Sequence, residues 1–113
     1  MKKEKGKLAE DLAIDFLKKQ GYKILERNFY FKKFGEIDII ALKKNLLNFV
    51  EVKSLTKESN FSPEIHFNQK KFKKIEKIAS FYANEFNYSC WIISLITIVL
   101  ENFKINYYEN IKI

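Results

Sequence analysis

The feature that most constrains this chain is an alternation of charge with β-branched bulk, repeated in two neighbouring segments: Gly35-Glu36-Ile37-Asp38-Ile39-Ile40 and Phe49-Val50-Glu51-Val52-Lys53. Side chains of an extended strand point to alternate faces, so Glu36 and Asp38 share a face, as do Glu51 and Lys53. The polar turn Lys43-Lys44-Asn45 between them predicts a hairpin of strands at 35–42 and 46–53. A two-residue loop at Lys44-Asn45 sets Asp38 opposite Glu51 and Glu36 opposite Lys53. All four charges then lie on one side of the hairpin. The other side carries Ile37, Ile39, Val50 and Val52, an apolar surface for helix packing. A loop with an odd number of residues breaks this agreement unless a bulge restores it.

Two carboxylates directly across a strand pair repel each other, and Asp38 with Glu51 is such a pair. A divalent cation neutralises them, and hard oxygen ligands suit Mg²⁺ or Mn²⁺. Lys53 then stands beside the metal, where an ammonium orients an attacking water or stabilises charge on a pentacoordinate phosphate. The competing reading is an ordinary solvated face, with Lys53 offsetting Glu36. Glu10 adds a possible third carboxylate. It falls at the edge of the buried face of the first helix, near Ala13, Ile14 and Leu17, whereas Asp11 and Asp15 point away. Reaching toward the sheet and simple first-turn support of the helix dipole are equally compatible with its position.

The rest of the chain frames this hairpin. Residues 4–20 read as a helix, with Leu8, Ala9, Leu12, Ala13, Phe16 and Leu17 on one face and Gly21 as the stop. Residues 22–31 read as a strand. Residues 54–66, with the only proline (Pro63), read as a loop, and residues 68–86 as a second helix burying Phe72, Ile75, Ala79 and Tyr82. That helix carries Lys70, Lys71, Lys73, Lys74 and Lys77 elsewhere on its surface. Strands at 89–99 and 104–108 close the chain around an Asn102 turn. The order α-β-β-β-α-β-β predicts an α/β fold, a central sheet flanked by two helices, with the apolar run 91–100 buried in its middle.

With 113 residues there is room for one compact domain, residues 1–113. The net charge of +7 and a pI of about 9.4 favour a polyanionic partner. All but one of the 21 basic residues are lysines, Arg27 being the exception. A lysine- and asparagine-rich proteome gives the same composition with no nucleic acid involved. The lysines of the second helix, Lys70, Lys71 and Lys74 in particular, either track a phosphate backbone or form a solvated face. The single cysteine excludes an internal disulfide and a cysteine-based zinc site. Cys90 is expected to be a small core residue, and the lone His66 an exposed loop residue. The Lys-rich start has no apolar signal segment, and no run approaches a membrane span, so a cytoplasmic location is expected.

At this point the residues match a known pattern. The chain resembles the YraN-like family, itself similar to archaeal Holliday-junction resolvases and other PD-(D/E)XK nucleases. The likeness runs through Ala9-Glu10-Asp11-Leu12-Ala13, Gly21-Tyr22-Lys23-Ile24-Leu25-Glu26-Arg27-Asn28, Gly35-Glu36-Ile37-Asp38-Ile39-Ile40-Ala41 and Phe49-Val50-Glu51-Val52-Lys53, then Pro63, Lys71 and Ala79. The resemblance implies a restriction-endonuclease-like fold, with Asp38 and Glu51 as metal ligands, Lys53 as the catalytic lysine and Glu10 as the acidic residue of the first helix. Ala9 stands where the family usually has glycine and Leu55 where an arginine often follows, and the fourth strand lacks the usual arginine and aspartate.

The leading functional expectation is a Mg²⁺- or Mn²⁺-dependent nuclease acting on branched or otherwise structured DNA, as a monomer or a homodimer, away from membranes. No base-reading helix argues for sequence specificity. The alternatives are a nucleic-acid-binding module of the same fold without catalysis, and an interaction protein in which the acids are structural.

Overall fold

The computed structural model describes residues 2–58, 67 and 69–112, with residues 2–5 as backbone only. His66 and Pro63 lie outside the described residues. Helix α1 (Lys2–Lys19) is followed by strands β1 (Lys23–Phe31), β2 (Gly35–Lys43) and β3 (Leu46–Leu55). Helix α2 (Gln69–Glu85) then leads to β4 (Cys90–Val99) and β5 (Lys104–Tyr108). The element order is the one the sequence predicts, and the arrangement accords with a restriction-endonuclease-like fold.

Both helices stop for the same local reason. At the end of α1, Gly21 takes a left-handed φ of 95°, its N–H donates to Lys18 O and the Tyr22 N–H to Leu17 O. This double bond satisfies carbonyls that the last turn leaves open. Asn87 (φ 61°) does the same for α2, with the Tyr88 N–H donating to Ala83 O at 2.8 Å. Asparagine tolerates this conformation better than other side chains, so it can replace glycine.

The five strands pair in sequence order. Every neighbour is antiparallel except β3 and β4, which run parallel because α2 carries the chain back across one face. The apolar run of β4 is therefore interior but not central. The central place goes to β3, and β5 covers the outer edge of β4.

Each helix covers one face of the sheet. Ala9, Ala13 and Leu17 of α1 pack on Ile39, Ala41, Val50, Ile96 and Ile98. On the other face, Phe72, Ile75, Ile78, Ala79, Tyr82 and Ala83 of α2 pack on Ile40, Leu47, Phe49, Ile93 and Leu95. The apolar stripes read from the sequence are thus the ones that face the sheet, although Leu12 and Phe16 are only half-buried and Leu8 is exposed. Among the described residues no helix is long and apolar enough to cross a membrane.

Cys90 departs from expectation, being exposed. It is the first residue of β4 and pairs with Leu46 at the rim beside the Lys44-Asn45 turn, where the sheet ends before either helix covers it.

Candidate functional site

The hairpin forms with the anticipated two-residue loop, Lys44 adopting a positive φ of 57°. Lys43 pairs with Leu46, and the ladder continues to Ile39 opposite Val50. There it stops. Asp38 appears in neither of the ladders that β2 makes: on its other side, the β1 pairs Arg27–Ile39 and Phe29–Ile37 bracket it without including it. Asn28, in that same gap, has a left-handed φ of 54°.

Side-chain carboxylates take over where the backbone ladder ends. Asp38 Oδ2 accepts from the Val52 N–H at 2.8 Å, and Glu51 Oε1 accepts from the Asp38 N–H at 3.4 Å. Each acid thereby holds the opposite strand, and the two carboxylates meet in the fork between β2 and β3. The break also corrects two expectations. Ile39, Val50 and Val52 do face α1, but Ile37 joins the cluster under α2, because the alternation is interrupted at Asp38. Glu36 pairs with Tyr30 of β1 and forms no ladder pair with Lys53.

Glu51 is only 8% exposed, an unusual position for a carboxylate. Burial, reinforced by the Asp38 charge, raises its pKa to about 8, against the opposing pull of Lys71 and the Asp38 N–H. Burial likewise raises Asp38 to about 6; the Val52 N–H and Lys71 oppose the shift, while the charges of Glu10 and Glu36 add to it. Two such acids in one fork do not ionise independently, and near neutral pH the pair retains a proton unless a cation replaces it.

Lys71, grouped at first with the backbone-tracking lysines, lies apart from them. Its Nζ is 3.8 Å from Glu51 Oε2 and 5.4 Å from the Phe67 ring centroid, so α2 delivers a cation to the acidic pair. Lys70 and Lys74 remain exposed on the outer helix surface. Glu10 does reach the sheet. Its Oε1 pairs with Arg27 Nε of β1 at 3.2 Å, while Arg27 Nη1 holds Asp11 at 2.7 Å. The guanidinium thus fixes Glu10 beside the fork, a role that sequence alone did not assign to the chain's one arginine.

Lys53 pairs with Thr97 of β4 in an unbroken parallel register, just as Glu51 pairs with Leu95. Leu95 belongs to the cluster under α2, which places Glu51, Lys53 and Thr97 on that face. Thr97 is fully buried, and its Oγ1 has no hydrogen-bond partner among the described residues. Inside the apolar stretch of β4 a threonine reads as one more β-branched filler. Only the pairing with Lys53 brings it to the site. A buried hydroxyl without a partner costs on the order of 1–3 kcal/mol. Thr97→Val, which keeps the shape, should therefore raise the melting temperature by several degrees; a fall would mean that the hydroxyl has a partner in solution.

The donor set suits a hard divalent ion. Two carboxylates offer oxygen ligands, and Mg²⁺ or Mn²⁺ readily keeps several waters or phosphate oxygens around a site with one or two carboxylates. Among the described residues no three acidic, histidine or cysteine side chains converge, so those residues would supply only part of a metal's shell. Zinc fits poorly, because Cys90 lies at the opposite end of β4 from the residues paired with Glu51 and Lys53.

Fold and site together define an α/β domain, restriction-endonuclease-like in its layering, with a carboxylate pair, one buried and one half-buried, at a strand fork and a lysine two residues further along the same strand. The particular family follows from comparison: the profile of the uncharacterised protein family UPF0102 matches residues 9–105, and the chain belongs to that family. It is the YraN-like family expected from the motifs. Relatives include UPF0102 proteins of Fervidobacterium nodosum (44% identical, over 96% of this chain and 82% of that one) and Aliarcobacter butzleri (40%, over 98% of each). One from Helicobacter hepaticus is 49% identical over 71% of this chain and 69% of its own.

Proposed function

We propose that this protein is a metal-dependent phosphodiesterase acting on structured or branched DNA. The observation that carries the proposal is the fork itself: the buried Glu51 and the half-buried Asp38, each accepting a hydrogen bond from a backbone donor of the other's strand. Ionising both acids of such a pair is costly unless positive charge compensates them, which a divalent cation does more fully than Lys71 alone. The resemblance of the Asp38…Glu51-Val52-Lys53 pattern to PD-(D/E)XK nucleases supports the same reading.

Asp38 and Glu51 would hold the metal, which when bound supplies Lewis acidity and lowers the pKa of a water. Lys53, on the Glu51 face of β3, would position the attacking water or neutralise charge developing on the phosphoryl oxygens. Glu10, fixed by Arg27, adds negative charge near Asp38 and would orient a water at the edge of the fork. Lys71 occupies Glu51 while the pair is free of metal, and would turn to substrate phosphate once the pair is neutralised.

The direct test incubates the protein with branched, flapped, linear duplex and single-stranded DNA in the presence of Mg²⁺ or Mn²⁺. Cleavage of at least one structured substrate is expected, and no cleavage across the set would sink the catalytic reading. Binding without cleavage would favour a DNA-binding module. A crystal soaked in Mn²⁺ should show anomalous density between Asp38 and Glu51.

The lysines of α2 give a separate prediction. Each phosphate contact steepens the salt dependence of binding by a slope of about 0.9 in logarithmic units. Replacing Lys70 and Lys74 together by glutamine should flatten that slope by about 1.8 for duplex DNA if both contact phosphates. An unchanged slope would reduce these lysines to a solvated helix face.

A further inference from the structure

Outside the fork, one surface combines an exposed aromatic ring, backed by two half-buried ones, with aligned positive charge. Phe81 of α2 is 52% exposed, yet its ring is fixed 4.7 Å from that of Phe31 at the end of β1. Phe31 in turn stacks on Phe34 in the β1–β2 turn, 5.5 Å between centroids and nearly parallel at 6°. Lys77 caps the group, its Nζ 5.4 Å from the centroid of Phe34. The turn that carries Phe34 also holds Lys32 and Lys33, both exposed.

Helical spacing connects this cluster to the lysines of α2. Positions 70, 74, 77 and 81 fall on one face, so Lys70, Lys74, Lys77 and Phe81 form a single exposed stripe. The stripe begins beside Lys71, which reaches Glu51, and ends on the aromatic group. The distance is short at both ends: Lys71 and Lys77 differ by a rise of about 9 Å along the helix, and Gly35 and Asp38 by about 10 Å along β2.

We infer that Phe81, held in place by Phe31 and Phe34 behind it, forms a stacking platform for unpaired bases, with the Lys70–Lys74–Lys77 stripe carrying the attached backbone toward the fork. The occupant is thus a single-stranded nucleic-acid segment, as in a flap or an unpaired arm. Charge complementarity selects it. An apolar patch built for another protein surface does not need a row of lysines leading up to it, whereas single-stranded nucleic acid is recognised by the union of a basic track and aromatic faces. Stacking is also indifferent to base identity, since every base has a π-face. The inference rests on the nucleic-acid reading above and narrows its substrate to structures with a single-stranded part.

The test is a binding measurement at low salt with a chelator present, so that nothing is cleaved. The probes are a labelled dT12, an abasic oligomer of the same length and a 12-base-pair duplex. The variants are Phe81→Leu, which keeps apolar bulk but loses the π-face, and Phe81→Trp, which restores one. Circular dichroism confirms that each is folded. The parent should bind dT12 on the order of ten-fold tighter than the abasic strand. Phe81→Leu should erase that margin while leaving duplex binding unchanged, and Phe81→Trp should recover it. If the parent binds duplex but shows no preference for bases over abasic sites, or if Phe81→Leu binds dT12 like the parent, the platform is wrong and the nucleic-acid reading stands. If the parent binds none of the three, both fail. If the parent is a dimer that Phe81→Leu dissociates, the patch is a self-interface and the inference is overturned.

Discussion

Lys53→Ala is expected to lower DNA cleavage by about two to three orders of magnitude, the scale on which a transition-state charge partner acts. It should leave Mn²⁺ binding close to that of the parent. The reason is geometric: Lys53 lies two positions along β3 from Glu51 on the same face, but an ammonium has no lone pair to give a metal. Asp38→Asn should remove both cleavage and tight metal binding, because it deletes one of the two charges the site supplies. Asparagine is the better choice than alanine, since its amide oxygen can still accept from the Val52 N–H, a bond of 2.8 Å in the parent. Alanine would leave that backbone donor unpaired and so confuse a loss of ligand with a loss of strand geometry. Metal binding by calorimetry beside gel-based cleavage separates the cases. A Lys53→Ala protein that cuts as fast as the parent refutes the catalytic assignment.

Without metal, the protein should be more stable near pH 5 than near pH 8, by a few kcal/mol or a melting-temperature difference of at least 10 °C. The sign follows from the raised pKa values. In the unfolded chain Asp38 and Glu51 titrate at ordinary carboxylate values, near 4, whereas in the folded protein burial raises them to about 6 and about 8. Below pH 4 both states are protonated and the pair has no effect. Between pH 4 and pH 8 the unfolded chain has released protons that the folded one keeps, so the native state loses ground as pH rises. Above pH 8 the penalty is fully developed. Saturating Mg²⁺ should abolish much of the decline, because it binds the ionised pair only in the folded state. Asp38→Asn should flatten the profile without metal, since one charge and the repulsion it causes are gone. A profile that rises between pH 5 and pH 8, or one indifferent to Mg²⁺ in the parent, would show that the two acids are relaxed by solvent and are not the metal site proposed here.

These expectations draw on parts of the molecule that differed in how plainly the sequence announced them. The two helices were legible because their apolar positions recur at helical spacing and Gly21 stops the first; that Asn87 ends the second in a left-handed turn was visible only in the fold. The β2–β3 hairpin was legible because a two-residue loop and alternating side chains determine register together. Local rules alone therefore put Glu51 and Lys53 on one face of β3 and brought Asp38 close to Glu51. The same rules failed one residue past Ile39. Strand alternation assumes an unbroken ladder, and here the ladder gives way to side-chain hydrogen bonds from the very acids it was meant to position. Ile37 changed sides and Glu36 lost its expected partner for that reason.

The chain's local chemistry, then, determined which elements form, where they stop and which carboxylates meet. Tertiary structure decided everything that depends on elements distant in sequence. Arg27 of β1 fastens Glu10 of α1, Lys71 of α2 turns in to Glu51, and Thr97 of β4 comes to lie beside Lys53 with no partner for its hydroxyl among the described residues. The burial that raises the acids belongs to this second group, and so does the alignment of Phe81 with Phe31. Periodicity reports the face on which a side chain stands. Its partner, and the dielectric around it, are set by which other face packs there, and that is a property of the assembled fold.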